Sequence, residues 1–591
     1  MRLFLCVKHL SAALYKFDFR YIIVTRKKVY SVAEFKIVLC CLNSKYIHSS
    51  LAPWCIYTSA KKRCNADVSV NVIEGTVNEK EDAALERLLS DNPDAVAFSC
   101  YIWNIKAVLS LCDKIKKYNS DIKIILGGPE VSYCQGSILM KNPSVDFIVS
   151  GEGEVTVPEL INRLHLGLGI DIPAVSYRTA DGVHIDSRVA PIDESISPYC
   201  EEYFQKLNGR IAYIESSRGC PFNCAFCLSG RLGNVRYIDI VRVKSEMIKL
   251  SQMGAKTVKF VDRTFNCSKI RAAEILSFII ENYGNDIPYG TCFHFEIAAD
   301  LLDDNLFEII SKLPVGAVQF EIGIQSFNEA TLKAINRRTD LFKVTENIKR
   351  LVSFGNCHIH IDLIAGLPTE GFDSFVDGFN KAYGLGANML QLGFLKILNG
   401  TPMAENREKY PCEYCAEPPY TVTSTPYISE EELEKLHIAE NELDRLYNSG
   451  RFVRALGYVL SASKMPPFEL FYSFGEHLCS LEEKGSIPLD RYTNLVFEYF
   501  SSLEDVEVAK LRDAMIYDRI STNNSGVIPE KLKIADGNMK KIRNLIKEVA
   551  PLKNGCNRSV AILYTENKAV YCDYEYRNPV TGRYNVAEYL L

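Results

Sequence analysis

Apolar runs alternating with amphipathic stretches constrain this chain more than any other feature. "FKIVLCCLN" opens the series at Phe35. "VSVNVIE", "AVAFSCY", "KIILGG" and "VDFIVSG" follow, separated by helical patterns near 50–63, 78–90, 104–118 and 154–165. Runs without polar alternation are strands buried on both faces, and strand–helix alternation gives right-handed crossovers and a parallel sheet. Residues 35–190 are therefore predicted to form a doubly wound, Rossmann-like α/β domain. Its glycine-bearing loops should share the carboxyl edge, where open sheets bind ligands. "IPAVSYRTADGVHIDSR" reads as a hairpin turning at Asp181-Gly182, and residues 191–209 as a linker.

A second series starts at "RIAYIESSRG" and continues through "TVKFVD", "GTCFHFEIAA", "AVQFEIGIQS", "HIHIDLIAG" and "MLQLGFLKIL". Helices are predicted near 239–253, 269–282, 302–312, 328–354 and 371–384. Six such units predict a partial (β/α)6 barrel over residues 210–425, with its site at the carboxyl ends of the strands. Residues 426–591 turn mainly helical. "ISEEELEKL" carries the capping-box spacing of Ser429 and Glu432. The chain closes on a predicted hairpin turning at Glu566-Asn567. Residues 1–34, with seven Lys or Arg against two acids, read as an extension.

Composition narrows the function. A net charge of −5 gives no electrostatic reason to expect nucleic acid. No apolar run reaches the roughly 18 residues of a membrane span. Twenty cysteines, mostly scattered in apolar runs, suit a reducing compartment, so the chain is expected to be cytoplasmic. Only Cys220/Cys224/Cys227 and Cys412/Cys415 have ligand-like spacing. The second pair lacks two further ligands and reads as a loop with free thiols.

Cys220, Cys224 and Cys227 follow the first strand of the second series, on its predicted functional rim. Structural zinc needs a fourth ligand, which His294, His358 or His360 could supply, although no spacing demands it. A cubane iron–sulfur cluster fits better, because three thiolates leave one iron open for a substrate or cosubstrate.

C-x3-C-x2-C, here "CPFNCAFC", resembles the signature of the radical S-adenosylmethionine (radical SAM) superfamily. The resemblance implies a [4Fe-4S] cluster on Cys220, Cys224 and Cys227, with S-adenosylmethionine on the open iron and Phe226 near the adenine. "KFVDRTFN" resembles the second-strand end and puts Asp262 beside the cosubstrate. "FEIGIQSFNE" resembles the fourth-strand motif and makes Glu321 and Gln325 candidates near ribose or substrate. In "HIDLIAGLPTE" the turn at Gly366 would let backbone approach the adenine.

The first domain resembles the cobalamin-binding domain of the cobalamin-dependent subgroup through "LGGPEVSY" and "VSGEGEVTVPEL". This implies a cobalamin site near Gly127, Gly128, Gly151, Glu152, Gly153 and Glu154. The usual D-x-H-x-x-G is missing from "NSKYIHSS", so His48 is expected to hydrogen-bond and not to ligate cobalt. "PPYTVTSTPYISEEEL" resembles a C-terminal domain of unknown function found in a subset of the family. Together these imply a methyltransferase acting at an unactivated carbon, with a flavodoxin or ferredoxin as electron donor. A non-methylating rearrangement, cyclisation or oxidation is the enzymatic alternative, and a redox sensor without turnover is the alternative of another class.

Overall fold

A computed structural model describes residues 34–481, 487–535, 537–552 and 557–591; the predicted extension falls almost wholly outside them. The first sheet contains β1 (Phe35–Asn43), β2 (Val68–Thr76), β3 (Ala95–Ser99), β4 (Lys123–Gly127), β5 (Phe147–Val149), β6 (Val175–Thr179) and β7 (Gly182–His184). Its order is β2-β1-β3-β4-β5-β6-β7. The first five strands pair in parallel. The chain reverses direction of growth after β2, so the switch point lies between β1 and β3, where such sheets bind ligands. Helices Ala52–Arg63, Glu81–Leu89, Ile105–Tyr118 and Gly153–Leu166 lie where the periodicity places them. β6 and β7 extend the sheet as an antiparallel hairpin. Thr179 pairs with Gly182, so the turn is Ala180-Asp181 and Gly182 starts the returning strand, one residue from the expected position.

The predicted linker contains a helix, Glu201–Leu207. The barrel then runs through β8 (Ala212–Ile214), the short hairpin β9 (Ser217–Arg218) and β10 (Arg236–Tyr237), β11 (Thr257–Phe260), β12 (Cys292–Ile297), β13 (Val318–Gln325), β14 (His358–Ala365) and β15 (Met389–Phe394). Six strands pair in parallel in the order β15-β14-β13-β12-β11-β8, and the two end strands do not pair. This is the open, partial barrel that the six units imply.

The stretch predicted as one helix over 328–354 is two, Glu329–Ala334 and Leu341–Phe354. Asn336 takes a left-handed backbone (φ 56°), which stops the first helix. Asp340 then caps the second by accepting from Lys343 N. A small hairpin, β16 (Glu413–Tyr414) with β17 (Val422–Ser424), precedes the C-terminal region. There the Ser429/Glu432 capping box forms in both directions and opens the helix Glu430–Glu442. The terminal hairpin gains a third strand: β18 (Ser559–Leu563), β19 (Lys568–Cys572) and β20 (Ala587–Leu590) form one antiparallel sheet.

Alternation along the barrel strands separates two kinds of residue. Val258, Phe260, Phe293, Phe295, Phe320, Ile322, Ile359 and Ile361 pack into one apolar core with the surrounding helices. The alternate positions, among them Lys259, His294, Glu296, Glu321, His360 and Asp362, face the interior. Registers bring these polar residues side by side: Lys259 opposite His294, Glu296 opposite Glu321, and Glu321 opposite His360. Among the described residues no helix is long and apolar enough to cross a membrane.

Candidate functional site

The first strand of the barrel abuts the first domain. Ile211 N donates to Ile47 O and Ser49 N to Ile211 O, so the loop after β1 continues into the barrel's edge. Nearby, His48 Nδ1 lies 2.7 Å from the Tyr213 hydroxyl, the hydrogen-bonding role expected of it. Buried Arg210 pairs with Glu74 at 2.7 Å. On the far side, the Tyr420 hydroxyl donates to Glu130 of the loop after β4. The carboxyl edge of the first sheet is therefore held against the barrel at several points along its length.

Arg218 is the most heavily used of these contacts. It lies two residues before Cys220 and reaches Glu152 at 2.8 Å, Glu154 at 2.7 Å and Glu215 at 2.8 Å. Arg236 also holds Glu152, and it pairs with Glu194 at 2.8 Å. The cluster of charge ties the start of the helix Gly153–Leu166 to the cysteine loop. Glu152 and Glu154, expected at a cofactor, thus point their carboxylates into this junction. Burial raises the Glu215 carboxyl, with Arg218 opposing it.

The cysteine loop is fixed by its backbone. Ala225 N donates to Ile335 O and Met403 N to Ala225 O. Gly219 has φ 95°, and a Cβ there would stand 3.0 Å from Asn234 O. Cys220 Sγ lies 3.6 Å from Thr264 Oγ1, and Cys227 Sγ accepts from Ser229 N at 3.4 Å. Burial raises the Cys224 thiol, while Arg337 lowers it from 3.7 Å away. Arg337 comes from the break between the two helices and also donates to Gly323 O. Helical periodicity over 328–354 runs straight through this segment and does not point to Arg337; the signal is the Asn336-Arg337 pair, since Asn suits a left-handed stop.

The donor set favours a cluster over a single ion. Among the described residues, the only group of three Cys, His, Asp or Glu whose donor atoms all lie within 4.8 Å of one another is Glu321, His360 and Asp362. Cys220, Cys224 and Cys227 do not form such a group, so at least one pair of their sulfurs stands more than 4.8 Å apart, whereas a tetrahedral zinc with bonds of ~2.3 Å would hold all three about 3.8 Å apart. His294, His358 and His360 lie on β12 and β14 and take no part in the loop.

The remaining expected residues fall in three places. Phe226 packs on a small cluster with Leu367, Leu395 and Val422 at the rim. Gly366, at φ 84°, belongs to the same patch, with Val422 Cγ1 3.5 Å from where its Cβ would be. Asp262 is buried and accepts from Ser216 N, Ser216 Oγ and Ser217 Oγ at 2.6–2.8 Å, so it shapes the strand that leads into the cysteines. Glu321 and Gln325 lie on β13 and face the interior. Gln325 has φ 72° at a register shift, and its Oε1 is buried without a partner. Glu296, which sequence reading missed, shares the face of Glu321, and burial pushes its carboxyl up to about 7. The signal was the alternation in "CFHFEI", which puts His294 and Glu296 on one side.

At the first sheet's carboxyl edge, Gly128 (φ 104°) packs so closely that a Cβ would meet Cys100 O at 2.5 Å. Gly127 and Gly151 leave ordinary contacts, and Gly153 starts its helix against Ile56. Exposed aromatics stand on this edge: Tyr46, Trp103 and Tyr133, with Tyr101 stacked on Trp103 at 4.4 Å. A large flat ligand fits such a surface, since ring faces bury apolar area at small conformational cost. Cys412 and Cys415 flank and enter the β16 hairpin, and no third ligand joins them in a close group among the described residues.

Residues 40–161 match the family profile of the B12 binding domain, residues 214–381 that of the radical SAM superfamily, and residues 408–573 that of a protein of unknown function, DUF4080. The cobalamin-dependent radical SAM methyltransferase TokK of Streptomyces tokunonensis is 26% identical over 54% of this chain and 49% of its own. The chain thus spans about half the length of the curated relatives it matches first. Two solved structures share the fold. The cobalamin-dependent S-adenosylmethionine radical enzyme OxsB superposes with TM-score 0.57 at 15% identity, over 88% of this chain and 82% of that one. The radical S-adenosylmethionine methyltransferase TsrM of Kitasatospora setae gives 0.53 at 16%, over 64% and 78%. The three profiles follow one another along the chain in the order of its three structural regions.

Proposed function

We propose that this chain, carrying a B12 binding domain ahead of a radical SAM domain, is a cobalamin-dependent radical SAM enzyme that methylates an unactivated carbon. One observation carries the reading: the ligand-binding edge of the first sheet is clamped by Arg218 to the loop that bears Cys220, Cys224 and Cys227. A cobalamin on that edge and a cluster on that loop would share one space. When bound, the cluster supplies the electron that cleaves S-adenosylmethionine to a 5′-deoxyadenosyl radical, and cobalamin supplies the methyl group.

The chain's own residues bind and orient. The three thiolates ligate the cluster, and Arg337 stabilises the thiolate form of the most buried one. Phe226 and the Gly366 turn form the apolar wall expected beside the adenine. Asp262 acts through the loop: its bonds to Ser216 and Ser217 set the approach to Cys220. Gly127, Gly128, Gly151 and Gly153 lie in the loops at the first sheet's carboxyl edge, which would hold the cobalamin beside its exposed aromatics. Glu321, Gln325 and Glu296 present polar groups to a substrate entering the barrel. The electron comes from a reduced flavodoxin or ferredoxin in a reducing, cytoplasmic setting.

The test is anaerobic purification and reconstitution of the full chain, with iron, sulfide and cobalamin measured. Reduction with S-adenosylmethionine should release 5′-deoxyadenosine. A reconstituted chain that releases none overturns the radical reading. Label from methyl-labelled S-adenosylmethionine that reaches no acceptor removes methyl transfer and leaves the radical chemistry standing.

A further inference from the structure

The polar interior of the barrel contains more than a substrate needs for orientation. Glu321, His360 and Asp362, on the neighbouring strands β13 and β14, bring three donor atoms within 4.8 Å of one another. His360 is 6% exposed, and its Nε2 has no hydrogen-bond partner. Asp362 Oδ1 is likewise buried and without a hydrogen bond, although the two atoms are only 2.9 Å apart. A buried imidazole nitrogen and carboxylate oxygen left in this state normally cost stability. The two stand at ion-pair distance without hydrogen-bond geometry, and with Glu321 beside them the three donors converge as the ligands of a shared ion do. Cis ligands on an ion with bonds of about 2.1 Å stand ~3.0 Å apart, and His360 Nε2 and Asp362 Oδ1 stand 2.9 Å apart with Glu321 within 4.8 Å of both.

We propose that the barrel interior binds one divalent cation on Glu321, His360 and Asp362. One imidazole and two carboxylates suit a first-row ion such as Mn2+, Fe2+ or Zn2+. His294 and Lys259 complete the arrangement from outside. They hold Glu321 Oε2 at 2.7 Å and 3.1 Å and orient the carboxylate, as outer partners of metal ligands do. They also keep it ionised: burial works against the charge, but His294 and Lys259 outweigh it and hold the carboxyl at about 2. Neither sits on Oε1. The Lys259 charge weakens the site, so the affinity is expected to be moderate. The three ligands come from two adjacent strands and leave the opposite side of the ion open to water or substrate. The ion's place in the interior makes it a Lewis acid or an anchor for a substrate oxygen.

This inference does not rest on radical chemistry, and its test does not use turnover. Mn2+ is the probe, because it prefers oxygen and nitrogen donors and leaves the cysteines alone. The full chain is titrated with Mn2+, without and with a reconstituted cluster, and the free ion is counted by its paramagnetic resonance signal. One Mn2+ per chain is expected in both forms. Electron spin echo modulation should show a histidine nitrogen coupled to the bound ion. His360→Ala and Asp362→Asn should each weaken binding at least tenfold, and Cys224→Ala should bind like the wild type. Absence of saturable binding, bound Mn2+ without nitrogen coupling, or folded variants with unchanged affinity would each overturn the proposal. If either variant fails to fold by circular dichroism, the nitrogen signal in the unmodified chain decides alone.

Discussion

Replacing Arg218 with Met tests the junction on which the two-domain reading depends. The methionine keeps most of the volume and removes the charge. Glu152 retains Arg236, but Glu154 and Glu215 lose the partner that neutralises them. The three carboxylate side chains are only 14–21% exposed, so water compensates little. Breaking a largely buried ion pair from one side costs about 3–5 kcal/mol. The chain has several domains, so a single unfolding free energy is a poor measure. Local opening is better read by hydrogen exchange at β8 and at the helix Gly153–Leu166. The cost predicts exchange there faster by roughly 150- to 5,000-fold. The pH dependence follows from sign. In the variant the Glu215 carboxyl, which burial already raises, loses the Arg218 charge that opposes the rise, so its folded pKa stands further above the unfolded value near 4.3, and stability is lost as pH rises and regained as it falls. The deficit, corrected for intrinsic exchange, should be largest near pH 8. It should shrink by up to ~1.4 kcal/mol per pH unit as Glu215 protonates. Arg218→Lys, keeping charge but not the fork, should recover part. Wild-type exchange at both elements, or a deficit that is flat with pH, would refute the reasoning.

Cys224→Ala should abolish the broad visible absorbance of the reconstituted chain and its cleavage of S-adenosylmethionine; retained cleavage would sink the cluster assignment. Cys412→Ser with Cys415→Ser should leave iron and sulfide per chain unchanged, which elemental analysis checks. Arg337→Leu removes the positive group beside Cys224, so its thiol should ionise less and alkylate several-fold more slowly at pH 8 in the cluster-free chain; an unchanged rate would remove Arg337 from the site. Glu370 is 2% exposed, and burial raises its carboxyl to about 7. A raised acid contributes full stability below about 4.5 and loses it as pH rises to about 7. Glu370→Gln should therefore be more stable than wild type at pH 8, by at most ~3 kcal/mol, with the gap closing by pH 5 in thermal melts.

Much of the fold could be read along the chain because its signals are local. Three of the four helices predicted for the first domain lie within two residues of their expected spans, since apolar spacing acts over one or two turns. The exceptions are also local in cause. Asn336 breaks a helix that composition would continue, and Gly182 enters a strand where a turn was expected. The site was legible only where it is a motif. Cys220, Cys224 and Cys227 announce themselves by spacing, whereas Arg337 reaches Cys224 from 113 residues away.

Local pattern along the chain is enough to show that two α/β units follow one another, that three cysteines sit past the first strand of the second, and that a capped helical region follows. Tertiary structure decided what those units do to each other. Arg218 could pair with any acid, and only the docking of two sheet edges selected Glu152 and Glu154. Likewise "FEIGIQ" and "HIHIDL" show alternation but not register. Pairing Glu321 with His360 across β13 and β14 is what gathers a carboxylate, an imidazole and a second carboxylate into one place. Periodicity fixes which face a side chain takes, because it is set by backbone geometry within a few residues. Its partner is set by packing across the whole chain, and that information is spread over every element that packs.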